Sequence, residues 1–353
     1  KALVKALHIE RNVFVRHYKE SGDIGLTVER IRHGMQTIEE DDISVQSVFD
    51  VLKKMAEENG EGSIDRKINS LSHLIRTLDS LSCRYVVRIP IATLRLGFSD
   101  MTILDALSWM LTGDKSLRKQ IEKAYHVRPD LGYIGAVLKK KGIKGIAYIT
   151  PDLFTPILMM RAERLSNAKD IIEQIGTCAV EPKYDGFRLQ IHYRKSKVQS
   201  QKSKVHKEVR LYSRNLEDVT HMYPDLVEGI VKEVKADEII CEGEAIGFNP
   251  LTGDFLPFQE TAQRKRKYDI VEKAKEIPLK LFLFDVLLID GQTMLDTPFS
   301  KRRSLLSESF IKGKIDSSTV FVADEKIIDD PKKLELLFEE SISKGLEGVI
   351  AKK

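Results

Sequence analysis

Four charged residues crowd the start of one short stretch, VEPKYDGFRLQIHYR at Val180–Arg194: Glu181, Lys183, Asp185 and Arg188. Lys183 follows an apolar, strand-like run (TCAVEP) and precedes an Asp-Gly pair. Beyond that pair Leu189, Ile191 and Tyr193 alternate with Gln190 and His192, which predicts a second strand. A solitary lysine is ordinarily a solvated surface charge. Here the strand end encloses its stem, and Gly186 permits close backbone approach or a positive φ, so that a ligand can sit beside the turn. A lysine amine in such mixed-charge, partly enclosed surroundings can act unprotonated as a nucleophile toward a carbonyl or a phosphorus.

The usual phosphate cradles are missing from the sequence. No GxxxxGK[ST] loop occurs; TGDKS at Thr112–Ser116 is a near miss, because Asp114 stands before the lysine. No GxGxxG fingerprint occurs either. Phosphate chemistry, if present, must draw on side chains and a metal ion.

The elements that must position Lys183 differ between the two halves of the chain. Up to about residue 150 the periodicity is helical: Ile68, Leu71, Leu74, Ile75 and Leu78 share one face, and Ile103, Leu104, Leu107 and Leu111 follow the cap-forming Ser99 and Asp100. Pro151 and Pro156 suggest a linker. NAKDIIEQIG reads as a helix capped by Asn167 and stopped by Gly176. Thereafter strand patterns dominate, in TCAVEPK, RLQIHYR, EVRLYSRN, EIICEGEAIGF, KLFLFDVLLIDG and LEGVIAKK, with a helix at PKKLELLFEESISK. The expected architecture is an all-α domain over 1–152 followed by an α+β domain with antiparallel sheet over 153–353. The lysine-rich segment 195–207 reads as an extended hairpin tip.

Composition narrows the function. The 353 residues are 42% hydrophobic and 31% charged, with net charge +4, which describes a globular chain and permits a nucleic-acid partner if the charge is uneven. Cys83, Cys178 and Cys241 are isolated, so neither a zinc ribbon nor a disulfide framework is supported, and a reducing, cytoplasmic compartment (nuclear in a eukaryote) is expected. No apolar run approaches a membrane span. The chain begins at Lys1 without Met and stops at Lys353 inside a strand pattern, so both ends are expected to be cut.

KYDGFR resembles the nucleotidyl-lysine motif of the covalent nucleotidyltransferases: DNA ligases, RNA ligases and mRNA-capping enzymes. Its companions follow in the family's order: LYSRN with Arg214, CEGEAIGF with Glu244, LFLFDVLLIDG with Phe284, and LEGVIAKK with Glu347 and Lys352. EPKYDGFR and FQETAQRKRK resemble the ATP-dependent DNA ligases of archaeal and eukaryotic replicative type, and RYVVRIPIATLRLGFSDMTILDAL resembles their helical DNA-binding domain.

The resemblance implies a nick-sealing enzyme of replication, repair and recombination. Lys183 would take AMP from ATP with release of pyrophosphate and pass it to a 5′-phosphate at a nick in duplex DNA, and the 3′-OH would then displace AMP and seal the strand. Glu181 would accept from the adenine amine, Phe284 stack on the base, Arg188 and Arg214 hold ribose and phosphate, and Glu244 and Glu347 face ribose or Mg²⁺. Arg84, Arg88, Arg95, Arg264 and Arg266 would contact DNA phosphates. A monomer is expected, and no segment resembles a peptide that binds a sliding clamp. The family's Lys-x-Lys strand motif and OB-fold domain are not in these residues, so weak nick binding and poor sealing are expected of them. An RNA ligase or capping-type enzyme, and a non-catalytic DNA-binding protein, stand as alternatives.

Overall fold

The helical spacing of the first hundred residues is realised as short helices that share one apolar core. They span Ala2–Leu7, Arg11–Ser21, Ile24–His33, Val45–Glu57, Ser63–Thr77 and Ser80–Val86. Leu74 and Ile75, on the apolar face read from sequence, are buried against Leu7, Val28, Cys83 and Val86. Asp23 caps helix Ile24–His33 by accepting the Leu26 N–H at 2.7 Å. A Cβ on Gly25 would lie 2.4 Å from the Arg84 carbonyl oxygen, so only glycine lets these two helices approach as they do. The computed structural model describes residues 1–35, 43–95, 97–196, 206–266, 268–315 and 317–353. They divide into two units, Lys1–Ser99 and Asp100–Lys353.

The second unit begins with helices Asp100–Thr112, Arg118–Val127, Leu131–Lys141 and Ile143–Ile146 around Leu104, Ile121, Ile134 and Leu138. These helices therefore fall with the sheets, whereas the sequence reading grouped them with the first helices. Helix Ala168–Ile175 has Asn167 as its cap, accepting from the Asp170 N–H at 2.8 Å, and ends on Gly176 at φ +68°.

Among the described residues nine strands follow: β1 Cys178–Lys183, β2 Phe187–Ser196, β3 His206–Ser213, β4 Glu238–Gly247, β5 Leu279–Ile289, β6 Gln292–Thr293, β7 Val320–Val322, β8 Lys326–Ile328 and β9 Gly348–Lys352. They make a three-stranded antiparallel sheet, β8-β1-β9, and a larger sheet ordered β3-β2-β4-β5-β6. The larger sheet is antiparallel as expected, except that β7 joins β5 in parallel. Leu189, Ile191 and Tyr193 enter a core with Leu226 and Ile230 of helix Pro224–Glu233 and Leu306 of helix Phe299–Glu308. Each such side chain contributes about 1.5–3 kcal/mol on burial, and a slip of one residue would turn the whole row away from the core.

The opposite face of β2 is polar yet buried: Gln190 and His192 have no exposed surface. Their partners are backbone groups of the proline-flanked segment before the sheet. His192 Nδ1 accepts the Phe154 N–H at 3.0 Å, Gln190 Oε1 accepts the Ile157 N–H at 2.8 Å, and Gln190 Nε2 donates to the Ile157 carbonyl at 3.1 Å. Burial pushes the His192 imidazole down to about 3, so it stays neutral and free to accept. The segment read as a linker is thus fastened to the sheet by alternate side chains of one strand. Of the lysine-rich tip, residues 197–205 lie outside the described residues; Lys195 pairs with Asp237 at 3.3 Å. Among the described residues no helix is long and apolar enough to cross a membrane.

Candidate active site

Lys183 ends β1 beside β9. The two strands pair Glu181 with Ile350 and Lys183 with Gly348, and the Glu347 N–H donates to the Lys183 carbonyl at 2.9 Å. That turn brings the Glu347 carboxylate onto the Lys183 amine as an ion pair. The role of Gly186 is narrower than the sequence suggested. Its φ is not positive, and a Cβ there would lie 2.2 Å from the Ala245 carbonyl oxygen. The glycine lets the loop between β1 and β2 settle on β4, which carries Glu244. Asp185 accepts the Phe258 N–H at 3.1 Å, tying the same loop to helix Phe258–Thr261.

Glu181 is 3% exposed and lies between two cations. Lys352 Nζ is 2.5 Å from Oε2, and Arg303 Nη1 is 3.3 Å from Oε1. The Arg303 contact brings charge to Oε1 without hydrogen-bond geometry, so Oε1 is a buried oxygen with no hydrogen-bond donor. Burial raises the Glu181 carboxyl above the ordinary range, while Lys352 and Arg303 pull it back. Arg303 was absent from the sequence reading. It belongs to a buried row on its helix, Phe299, Arg303 and Leu306 at helical spacing, and an arginine inside an apolar row is a legible anomaly.

Phe284 occupies an irregularity in β5. Pairing with β4 passes from Glu242–Asp285 to Gly243–Leu283 and skips Phe284. Lys352 Nζ meets the Phe284 carbonyl at 3.2 Å and stands 4.7 Å from the ring centroid. The Arg188 guanidinium lies 5.2 Å from the same centroid, so the half-buried ring has cation–π contacts with both. Arg188 is fixed by Glu242 at 2.6 Å and by the Met160 carbonyl at 2.7 Å, while its Nε has no hydrogen-bond acceptor.

Glu244 sits opposite Arg188 across β2 and β4. Burial pushes its carboxyl up to about 7; Glu347 and Asp185 add to the rise, and Arg188 and Lys183 oppose it. Glu244 thus feels two further carboxylates as well as the Lys183 amine. Among the described residues no group of three His, Cys, Asp or Glu forms an all-protein metal cage. One or two carboxylates completed by substrate phosphates is the donor set that Mg²⁺ ordinarily takes, and Glu244 with Glu347 fits it.

The raised Glu244 pKa has a stability consequence. Unfolded, the group ionises near the ordinary carboxylate value of 4.5, and folded near 7. Between these values the folded chain holds more proton, so the contribution of Glu244 to stability falls as pH rises through that window. Glu244→Gln removes the loss. Without divalent metal, the variant is expected to be more stable than the parent by about 1–3 kcal/mol at pH 8, with the gap closing toward pH 4. Denaturant midpoints at the two pH values measure it; a gap that does not depend on pH would assign Glu244 an ordinary pKa.

Arg214 follows β3 directly, and Ser213 at the strand's end pairs with Leu189 of β2. It is exposed and makes no ion pair among the described residues. Glu217, three residues on, contacts Ser213, whose hydroxyl lies 3.5 Å from the carboxylate.

Two arginines expected to meet DNA are committed elsewhere. Arg88 is 3% exposed, with Nη2 2.7 Å from Asp23 and Nη1 donating to the Leu94 carbonyl at 3.0 Å. Arg264 is 1% exposed and binds the two Asp225 oxygens at 2.7 and 3.0 Å, with a further bond to the Ile277 carbonyl at 2.7 Å. Both guanidiniums are buried and bonded within the fold, and moving Arg88 to a phosphate would strand the buried Asp23 carboxylate, an arrangement that favours a structural role over DNA contact for the two. Arg95 is half-exposed, 3.3 Å from Asp23, and Arg84 pairs with Glu29 at 3.3 Å. Arg266 is exposed; its neighbour Lys267 lies outside the described residues.

Two sheets, antiparallel apart from the β5–β7 pairing, bring together a strand-end lysine, an adjoining glutamate turn and an unbonded buried carboxylate oxygen in a nucleotidyltransferase domain. Residues 159–353 match the family model described as the ATP dependent DNA ligase domain, and residues 1–108 match the one described as DNA ligase N terminus. The chain belongs to the ATP-dependent DNA ligase family. "Probable DNA ligase" of Dictyoglomus thermophilum is 43% identical over 353 residues, covering 100% of this chain and 57% of that protein. "DNA ligase 2" of Thermofilum pendens is 39% identical over 345 residues, covering 95% of this chain and 55% of that protein. The chain therefore spans a little over half the length of these curated relatives. A solved structure titled "Pmar-Lig_Pre." shares the fold at a TM-score of 0.52 and 14% identity, over 96% of this chain and 69% of that one.

Proposed function

We propose that this chain captures AMP from ATP on Lys183 and delivers it to the 5′-phosphate at a nick in duplex DNA, as part of an ATP-dependent DNA ligase. The observation that carries this reading is the Lys183–Glu347 ion pair with Glu244 under the charge of both, together with the unbonded Glu181 oxygen and the Phe284 ring, which share Lys352.

The Lys183 amine attacks the α-phosphorus. An N–P bond forms, the bond to pyrophosphate breaks, and the amine proton departs. Glu347 holds the amine in place as its ion-pair partner. Glu181 Oε1 accepts the adenine amine, and Phe284 offers an apolar face to the ring. Arg188, held by Glu242 and with its Nε unengaged, faces ribose or phosphate together with the exposed Arg214. Glu244 and Glu347 would hold a divalent cation, Mg²⁺ by their hard oxygen donors, whose charge neutralises phosphate oxygens. The 5′-phosphate of the nick then takes AMP from Lys183, and the 3′-OH displaces AMP as the strand closes. Arg84, Arg95 and Arg266 are the arginines left to position DNA through its phosphates, as a monomer in a reducing compartment.

Label transfer from α-³²P-labelled ATP, compared with GTP and NAD, tests the donor; chasing the labelled protein with nicked DNA or nicked RNA tests the acceptor. Transfer from ATP and release by nicked DNA are expected. Release by RNA alone would favour an RNA ligase, and DNA binding without any labelling a non-catalytic protein.

Phe284→Ala is expected to weaken ATP use by roughly 5- to 150-fold, from about 1–3 kcal/mol of lost stacking and burial. Phe284→Tyr should cost far less. The ATP concentration dependence of adenylation checks this, and an unchanged value for Phe284→Ala would leave Phe284 as core alone.

A further inference from the structure

Arg303 has no place in the chemistry described so far, yet it is buried beside Glu181, a carboxylate with a buried oxygen that lacks a hydrogen bond. It comes from helix Phe299–Glu308, while Glu181 comes from β1, so a separate element supplies it. Its contacts are divided. Nη1 lies 3.3 Å from Glu181 Oε1 and 3.4 Å from the Leu283 carbonyl oxygen, and Nε lies 3.5 Å from Glu325. Lys352 takes the other Glu181 oxygen, Oε2. The Glu181 carboxylate is therefore held at one oxygen by a short contact and stabilised at the other by charge alone.

That division suits a carboxylate that must stay ionised and still have an acceptor to spare. An ionised carboxylate only accepts hydrogen bonds; a protonated one can also donate. A 6-amino purine offers a donor at that position and a 6-oxo purine an acceptor. We propose that Arg303 is a positioning residue for nucleobase selection: it holds Glu181 as a charged acceptor with Oε1 free for the exocyclic 6-amino group, and so disfavours 6-oxo purines. This rests on the reading above that the site binds ATP through Glu181.

Without Arg303, Glu181 and Glu325 lose a shared cation, and Lys352 remains on Oε2 only. Glu181 then turns its free oxygen toward Lys352 or takes up a proton, and either change costs the 6-amino contact. The effect is confined to one position of the base, which separates it from general loosening of the pocket.

Equilibrium binding of ATP, of purine-riboside triphosphate (hydrogen at position 6) and of inosine triphosphate (oxygen at position 6) tests this. Binding is measured without divalent metal on the 353-residue chain and on Arg303→Met and Arg303→Lys. The parent is expected to bind ATP in preference to the other two. Arg303→Met is expected to lose about ten- to a hundredfold in ATP affinity, the scale of one charge-assisted hydrogen bond, and to keep its affinity for the 6-hydrogen analogue within about threefold. Its preference for ATP over inosine triphosphate should shrink, and Arg303→Lys should recover part of it. An equal loss for all three nucleotides in both variants would make Arg303 a packing residue and overturn the proposal, as would an unchanged ATP preference. If the parent itself does not bind ATP, the underlying reading of the site fails and this inference falls with it.

Discussion

Lys183→Arg is expected to abolish covalent AMP capture as completely as Lys183→Ala. The arginine keeps the positive charge and can still face Glu347, but a guanidinium does not deprotonate in proteins and offers no lone pair to phosphorus. Noncovalent ATP binding should survive in both variants, because Glu181 and Phe284 are untouched. This split distinguishes a nucleophile from a phosphate-binding cation. A lysine that merely neutralised charge would be replaced well by arginine, and adenylation would slow without vanishing. Intact mass after incubation with ATP and Mg²⁺, alongside binding measured without metal, gives both readings. An AMP adduct on either variant contradicts the assignment.

The second large effect falls on stability. Arg264→Ala is expected to destabilise the chain by about 2–4 kcal/mol, because a buried side chain and its bonds to the partly exposed Asp225 and to the Ile277 carbonyl are lost together. Arg264→Met should lose less, since the stem still packs. Arg266→Ala, two residues on and exposed, should stay within about 0.5 kcal/mol of the parent. The order reverses for DNA. Arg266→Ala should lower the salt dependence of binding by about one unit of slope, while Arg264→Met, measured where it is folded, should leave that slope unchanged. Denaturant unfolding and a salt series of DNA binding together check the pair. A stable Arg264→Ala with a reduced slope would return Arg264 to the DNA surface.

These two arginines mark where sequence reading stops. QRKRK identifies a basic cluster, but which member turns inward depends on Asp225, far away in the chain. Arg88 is the same case, committed to a helix cap on Asp23. Pairing across such separations leaves no local pattern. The strands that carry Lys183, Glu244 and Phe284, and the one that Glu347 precedes, were legible because alternation and strand ends are local properties, and so were the caps at Asn167 and Gly176. Strands β6, β7 and β8 have only two or three residues and leave no periodicity to read. Gln190 and His192 were visible as a polar alternation, but their burial beneath residues 154–157 was not. Phe284 was read from the resemblance, and the irregular pairing that sets it apart from its strand neighbours appears only in the register. Arg303 could have been suspected from the apolar row around it, although nothing local ties it to Glu181.

The central claim is that one lysine at the end of β1 becomes bonded to AMP. Peptide mapping of the parent chain after incubation with ATP and Mg²⁺, under alkaline conditions that preserve an N–P bond, tests it most directly. The account predicts an AMP-bearing peptide that contains Lys183, with the label lost on brief acid treatment. An acid-stable adduct, an AMP on any other residue, or no adduct from ATP at all would contradict it.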